Sequence, residues 1–162
     1  MGVKILVMGL PGAGKTTLAL ALSPRIRAVH FNADAVRREI SRDLGFSTQD
    51  RIEQARRMGW LCDRVVDAGG HALADLVCPT PETRAAFQAS GPALVIWVDR
   101  ISASRFEDTN RLFVPPATFD LRVTADGSVE HWSGRAAALV GAGHDCEEAG
   151  PETQSYTRSL LE

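Results

Sequence analysis

The sequence predicts an α/β protein: a three-layer fold with a mostly parallel, five-stranded sheet and helices on both faces. Three observations lead there. Two strongly apolar runs, Val3 to Met8 with Lys4 as its one charged residue and Ala93 to Val98, lack the alternation of a half-wet strand and read as central strands covered on both sides. Strand-like and helix-like segments alternate along the chain, as crossover connections require. The first apolar run breaks into a glycine-rich turn and then a helical pattern, which places backbone amides at the carboxyl edge of the sheet.

Taken in order, Val3 to Met8 is the first strand, Gly9 to Thr16 the turn, and Thr17 to Leu22 a helix. Ala28 to Asn32 is a second strand, and Ala33 to Ser41 a helix followed by a loop over Arg42 to Ser47. Asp50 to Ala68 is a long helix, with Ile52, Ala55, Met58, Gly59, Cys62 and Val66 near one face, stopped by Gly69-Gly70. His71 to Cys78 is a third strand, and Glu82 to Ser90 a helix broken by Gly91-Pro92. Ala93 to Val98 is the fourth strand, and Asp99 to Pro116 reads as polar and irregular. Phe119 to Val123 is a fifth strand before the turn Ala125-Asp126-Gly127, and Trp132 to Val140 a last helix. One domain over 1–140 is expected, with 141–162 a poorly ordered tail.

Composition narrows the function classes. A chain of 162 residues with 44% hydrophobic and 23% charged residues is neither wholly disordered nor comfortably two domains. The balance of 18 basic and 20 acidic residues gives −2, so a general basic surface for nucleic acid is absent. Lys4 and Lys15 are the only lysines; arginine supplies the other basic residues, which leaves a local anion-binding channel open. Cys62, Cys78 and Cys146 lack C-x-x-C spacing, and the histidines lack metal spacing, so a zinc site or disulfide framework is not expected. The opening apolar run is too short for a bilayer and lacks a secretory pattern. Gly2 resembles a myristoylation start, but position 6 is Leu. A cytoplasmic protein with no membrane partner is the expectation.

The decisive segment is Gly9-Leu10-Pro11-Gly12-Ala13-Gly14-Lys15-Thr16, which matches G-x4-G-K-S/T. Phosphate oxygens need several donors at close range. Glycines let the backbone turn successive N–H groups inward, and the helix start adds partial positive charge. Lys15 can reach the β- and γ-phosphates of ATP, and Thr16 offers a hydroxyl to Mg²⁺. The four fixed positions should arise by chance in roughly 0.5% of chains this long. Thr17 joins the nucleotide-binding set as the next residue of the helix start. No N-K-x-D base-reading motif follows, which speaks against a GTPase. Length and the abundance of arginine favour a small kinase of P-loop NTPase, nucleoside-monophosphate-kinase-like architecture.

His30-Phe31-Asn32-Ala33-Asp34-Ala35-Val36-Arg37 lies at the carboxyl end of the second strand, where ligand-facing groups emerge. Asp34 and Arg37 can share a helix face. Asp34 is the candidate that orients or deprotonates an acceptor hydroxyl, and Arg37 the candidate that holds an acceptor anion. The plainer alternative is a helix-start acid beside a solvated arginine.

This segment and the next resemble the adenylylsulfate kinase family. The family reads Asp-Gly-Asp-Asn-Val-Arg where this chain has Asn32-Ala33-Asp34-Ala35-Val36-Arg37. It reads R-D-L-G-F-S and D-R-x-E-N-x-R-R where this chain has Arg42 to Ser47 and Asp50-Arg51-Ile52-Glu53-Gln54-Ala55-Arg56-Arg57. Its Ala-Gly and Ser-Pro correspond to Ala68-Gly69 and Cys78-Pro79, with Arg84 following. The resemblance covers roughly 3–100, with a weaker echo at Phe113-Val114-Pro115-Pro116. It implies phosphorylation of the 3′-hydroxyl of adenylyl sulfate by ATP·Mg²⁺. Phe46 would stack on the acceptor adenine, Arg37 and Arg51 would bind its phosphosulfate, and Gln54 would stand at a substrate-contacting Asn. A homodimer is implied by analogy. The bland readings are a core Phe46 and a surface Arg51.

Two departures stand out. Asn32 replaces the family's first Asp, which leaves Asp34 to serve as base or Mg²⁺-side ligand. Asn-x-Asp-x-x-Arg also resembles the phage polynucleotide kinase pattern. The lid segment, Arg100 to Phe113, is about twenty residues shorter than the family's. Arg105 and Arg111 could still close over phosphates, with Arg105 offsetting transition-state charge. A shorter lid would admit another hydroxyl acceptor, such as a modified pyrimidine nucleotide, a polynucleotide end or a small metabolite. A non-catalytic nucleotide-binding module is the remaining alternative. Asp75, inside the third strand, is a weaker candidate for touching Mg²⁺ through water or capping a neighbouring element.

Overall fold

The computed structural model describes residues 1–145, with side chains as far as 142. Five strands form one all-parallel sheet: β1 (Lys4–Met8), β2 (Ala28–Asn32), β3 (His71–Leu76), β4 (Leu94–Val98) and β5 (Leu121–Val123), in spatial order β2-β3-β1-β4-β5. Between and after them run α1 (Lys15–Ile26), α2 (Ala33–Glu39), α3 (Thr48–Asp67), α4 (Pro81–Phe87), α5 (Glu107–Leu112) and α6 (Val129–Asp145). The chain leaves β1 to one side for β2 and β3, then crosses to β4 and β5 on the other. The switch point lies at the carboxyl end of β1, where open α/β sheets bind ligands.

The period-2 geometry of β1 divides the core. Ile5 and Val7 face one layer, with Leu18 and Leu22 of α1 and Trp132, Ala136 and Val140 of α6. Leu6 and Met8 face the other, with Ala55, Met58 and Cys62 of α3 and Phe87 of α4. Gly59 lets α3 lie against α4, because a Cβ there would stand 2.1 Å from the Phe87 carbonyl oxygen. A buried ion pair ties the amino end of β1 to α3. Lys4 Nζ lies 3.0 Å from Asp63 Oδ2, donates to the Gly91 carbonyl at 3.1 Å, and sits 4.8 Å from the Phe87 ring centre. Ser90 donates to the same Asp63 oxygen.

Element boundaries shift modestly from expectation. β3 ends at Leu76 rather than Cys78, because Cys78 adopts a left-handed φ of 45° that no strand tolerates. The helix after it starts one residue early at Pro81, under a Thr80–Thr83 capping box, and ends at Phe87. The segment expected to be irregular contains α5. The last helix begins at Val129 and runs through Val140 to Asp145. The rest of the expected tail, with Cys146, lies outside the described residues. Among the described residues, no helix is long and apolar enough to cross a membrane.

Candidate active site

The glycine-rich turn joins β1 to α1 at the switch point. Gly14 is the N-cap of α1 in left-handed geometry (φ 100°), and no side chain caps that helix start, so its first amides are free for an anion. Lys15 is buried and donates from Nζ to the Leu10 carbonyl oxygen at 2.8 Å, folded across the turn. Burial pushes its pKa down to about 8, although the Asp75 and Asp34 carboxylates pull it up. A buried ammonium held by one carbonyl and two nearby acids suits a role as counter-charge to a polyanion. Thr16 and Thr17 are exposed at the helix start.

Five of the predicted acceptor residues line a single cleft. Asp34 and Arg37 of α2, Phe46 of the following loop, and Arg51 and Gln54 of α3 surround it, with Leu76 to Pro79 as its floor. Phe46 is not core: it is 66% exposed, with the Arg37 guanidinium 4.5 Å and the Arg51 guanidinium 5.6 Å from its ring centre. Arg37 also donates to the Gly45 carbonyl oxygen at 2.6 Å, and Arg51 to that of Phe46 at 3.0 Å, so both hold the ring's loop. Burial, reinforced for Arg37 by the Arg51 charge, pushes both guanidinium pKa values down. Two partly desolvated like charges beside an exposed aromatic face suit a planar ligand carrying an anion. Gln54 is buried; it donates to the Ala33 carbonyl oxygen at 3.3 Å, while its own Oε1 makes no hydrogen bond.

Asn32 stands behind this cleft. Its Oδ1 accepts from the Ala35 N–H and caps α2, while its Nδ2 approaches Thr16 Oγ1 at 3.3 Å and Asp75 Oδ1 at 3.0 Å. Arg105 stacks on Phe106 at 4.8 Å, and Arg111 approaches Glu107 at 3.4 Å; both are exposed on their own segment. The basic side chain seen against the turn is instead Arg100, whose Nη1 lies 3.4 Å from where a Cβ on Gly14 would be. Arg100 stands two residues beyond the end of β4, and only this contact marks it out. Arg84 is buried and bridges the Cys78 and Val114 carbonyl oxygens at 3.0 and 2.9 Å, while Val114 N–H donates to the Pro79 carbonyl oxygen at 2.7 Å. Arg51 reaches Thr109 Oγ1 at 3.2 Å. The segment between β4 and β5 is thus fastened to the cleft floor.

A parallel sheet with an amide-lined turn, a buried lysine and a helix start at its switch point defines a protein of the P-loop class. A model of the family described as adenylylsulphate kinase matches residues 1–102, and the chain belongs to that family. It is 41% identical over 90 residues to an adenylyl-sulfate kinase of Shewanella baltica, an alignment covering 52% of this chain and 44% of that one. It is 36% identical over 96 residues to an adenylyl-sulfate kinase of Chloroflexus aurantiacus, covering 56% and 52%. The chain therefore spans about half the length of these curated relatives. The solved structure of the Mycobacterium tuberculosis APS kinase CysC in complex with AMPPNP and APS superposes with a TM-score of 0.76 at 22% identity, covering 86% of this chain and 98% of that one. A hexameric APS kinase from Thiobacillus denitrificans gives 0.68 at 27% identity, covering 90% of this chain and 29% of that one.

Proposed function

We propose that this protein is an ATP-dependent kinase that transfers the γ-phosphoryl group to the 3′-hydroxyl of adenylyl sulfate. One observation carries the reading: the phosphate turn and the Phe46–Arg37–Arg51 cleft open at the same sheet edge, with Asp34 on the cleft wall. Residues 9–17 would hold ATP, with Lys15 leaving the Leu10 carbonyl to meet the β- and γ-phosphates. Phe46 would stack on the acceptor's base, and Arg37 and Arg51 would bind its anionic group. Gln54, with its unbonded carbonyl oxygen, would accept a hydrogen bond from the acceptor. Asp34 would orient the hydroxyl and take its proton as the new O–P bond forms. Catalysis of this kind is chiefly positioning and electrostatic stabilisation.

Mg²⁺ fits the residues present. Among the described residues, no three His, Cys, Asp or Glu side chains converge. Mg²⁺ instead favours a hydroxyl, one or two carboxylates, waters and phosphates, and Thr16 lies beside a buried carboxylate oxygen that makes no hydrogen bond. When bound, the ion would neutralise charge on the β- and γ-phosphates.

A second reading keeps the chemistry and changes the acceptor. The short segment after β4 leaves Phe46 largely exposed, which favours a bulkier nucleotide-like alcohol. ADP release measured with and without adenylyl sulfate, beside a panel of nucleotide and sugar alcohols, tests both. Stimulation by adenylyl sulfate alone supports the first, and stimulation only by another alcohol the second. Tight ATP binding with no turnover on any alcohol refutes both.

A further inference from the structure

Asn32 occupies the position where the family resemblance puts a carboxylate, and its side chain cannot act as one. Its Oδ1 is committed to the Ala35 N–H at 3.0 Å. Only the amide oxygen can accept that proton, so the orientation of the group follows. Nδ2 then spends its two hydrogens on Asp75 Oδ1 and Thr16 Oγ1. A second lone pair of Oδ1 remains, but the neutral amide brings no negative charge to a cation. Asp75 is the residue directly opposite Asn32 in the parallel β2–β3 register, and it is 2% exposed. Its Oδ2 is buried and makes no hydrogen bond; His30 Nε2, also without one, is 3.4 Å away, at ion-pair distance. A buried carboxylate oxygen without a hydrogen bond, on a side chain linked through Asn32 to the phosphate-turn hydroxyl, is a place for a divalent cation, bound directly or through water.

We infer that Asp75 is the carboxylate serving the cation side of the phosphate turn, and that Asn32 is its positioning residue. The negative charge has moved from β2 to the paired position on β3. Asn32 holds one Asp75 oxygen and aligns it with Thr16, leaving the other oxygen for the cation. Asp34 is thereby released from metal duty and serves the acceptor hydroxyl alone. The inference rests on the nucleotide-kinase reading above and deepens it.

The test uses Mn²⁺ as the probe, with its binding to the full chain in the presence of ADP followed by electron paramagnetic resonance. ADP affinity without metal is measured beside it by calorimetry. Asp75→Asn should weaken Mn²⁺ binding about tenfold or more, a larger change than it makes in metal-free ADP affinity, with the melting temperature close to the parent's. Asn32→Asp alone puts two carboxylates at hydrogen-bond distance, so its metal-free form should melt lower and recover on adding Mn²⁺. The exchange variant, Asn32→Asp with Asp75→Asn, reverses the polarity of the same hydrogen bond and should regain most of the Mn²⁺ affinity. Asp75→Asn binding Mn²⁺ like the parent would overturn the inference. So would an exchange variant no tighter than Asp75→Asn. A parent that binds no ADP at all would overturn the kinase reading and this inference with it, a result distinct from loss of metal binding alone.

Discussion

Replacing Asp63 with alanine removes the carboxylate facing Lys4 and leaves an ammonium whose side chain is 1% exposed. What remains around Nζ is the Gly91 carbonyl at 3.1 Å and the Phe87 ring at 4.8 Å. Breaking one side of a buried pair typically costs about 3–5 kcal/mol, because the surviving charge is left uncompensated. A ceiling comes from the alternative of losing the charge: deprotonating an ordinary lysine at pH 7 costs about 4–5 kcal/mol. The two figures agree. A loss of this size consumes a large share of the roughly 5–15 kcal/mol that holds a domain together. Urea denaturation at pH 7 measures it, with Lys4→Met plus Asp63→Leu as the companion variant. The double variant should be far less damaged than Asp63→Ala, since an apolar pair of similar volume leaves no charge behind. A cost below about 1 kcal/mol for Asp63→Ala would refute the reasoning, because that is the worth of a solvated surface pair.

Further outcomes are expected. Lys15→Ala should abolish detectable ATP binding by calorimetry while leaving the fold intact. The parent's metal-free ADP affinity should fall as pH rises through about 8, the value to which burial depresses Lys15. The same group acts on stability with the opposite sign: between about 8 and the model-peptide value of 10.5 the unfolded chain holds a proton the native chain has lost. Its contribution to stability therefore rises across that window, and denaturation of Lys15→Met should lack the rise. Phe46→Ala should raise the acceptor KM and leave ATP affinity unchanged, with stability altered by less than about 0.5 kcal/mol at so exposed a site. Gly59→Ala should cost about 1–3 kcal/mol or more by overpacking α3 against the Phe87 carbonyl, read as a lowered urea midpoint.

The fold was legible because its strongest signals are local. A strand buried on both faces, such as Lys4–Met8, is apolar throughout Ile5 to Met8, and the glycine-rich turn follows from conformational demands at single residues. The cleft was legible too. Asp34, Arg37, Phe46, Arg51 and Gln54 sit on neighbouring elements that the predicted topology brings together. Other features were set by contacts distant in sequence. Asp75 reads as an ordinary strand acid until the β2–β3 register places it opposite Asn32. Arg100 gains meaning only from its closeness to Gly14, and Arg84 only from the Val114 carbonyl thirty residues on. α5 escaped notice because its six residues carry too few apolar positions to show a period.

The hydrogen bond from Val114 to Pro79, with Arg84 bracing both sides, makes the stretch between β4 and β5 a sash hung along one edge. Its far end is bolted to the floor of the Phe46 cleft; its near end is held to β5 through Asp99, with Arg100 against the glycine-rich turn. An insertion beside Val114 would therefore be felt at the cleft floor, and one beside Asp99 at the edge of the sheet, whereas residues added between Ser102 and Arg105, exposed and between those two fastenings, should be tolerated far better.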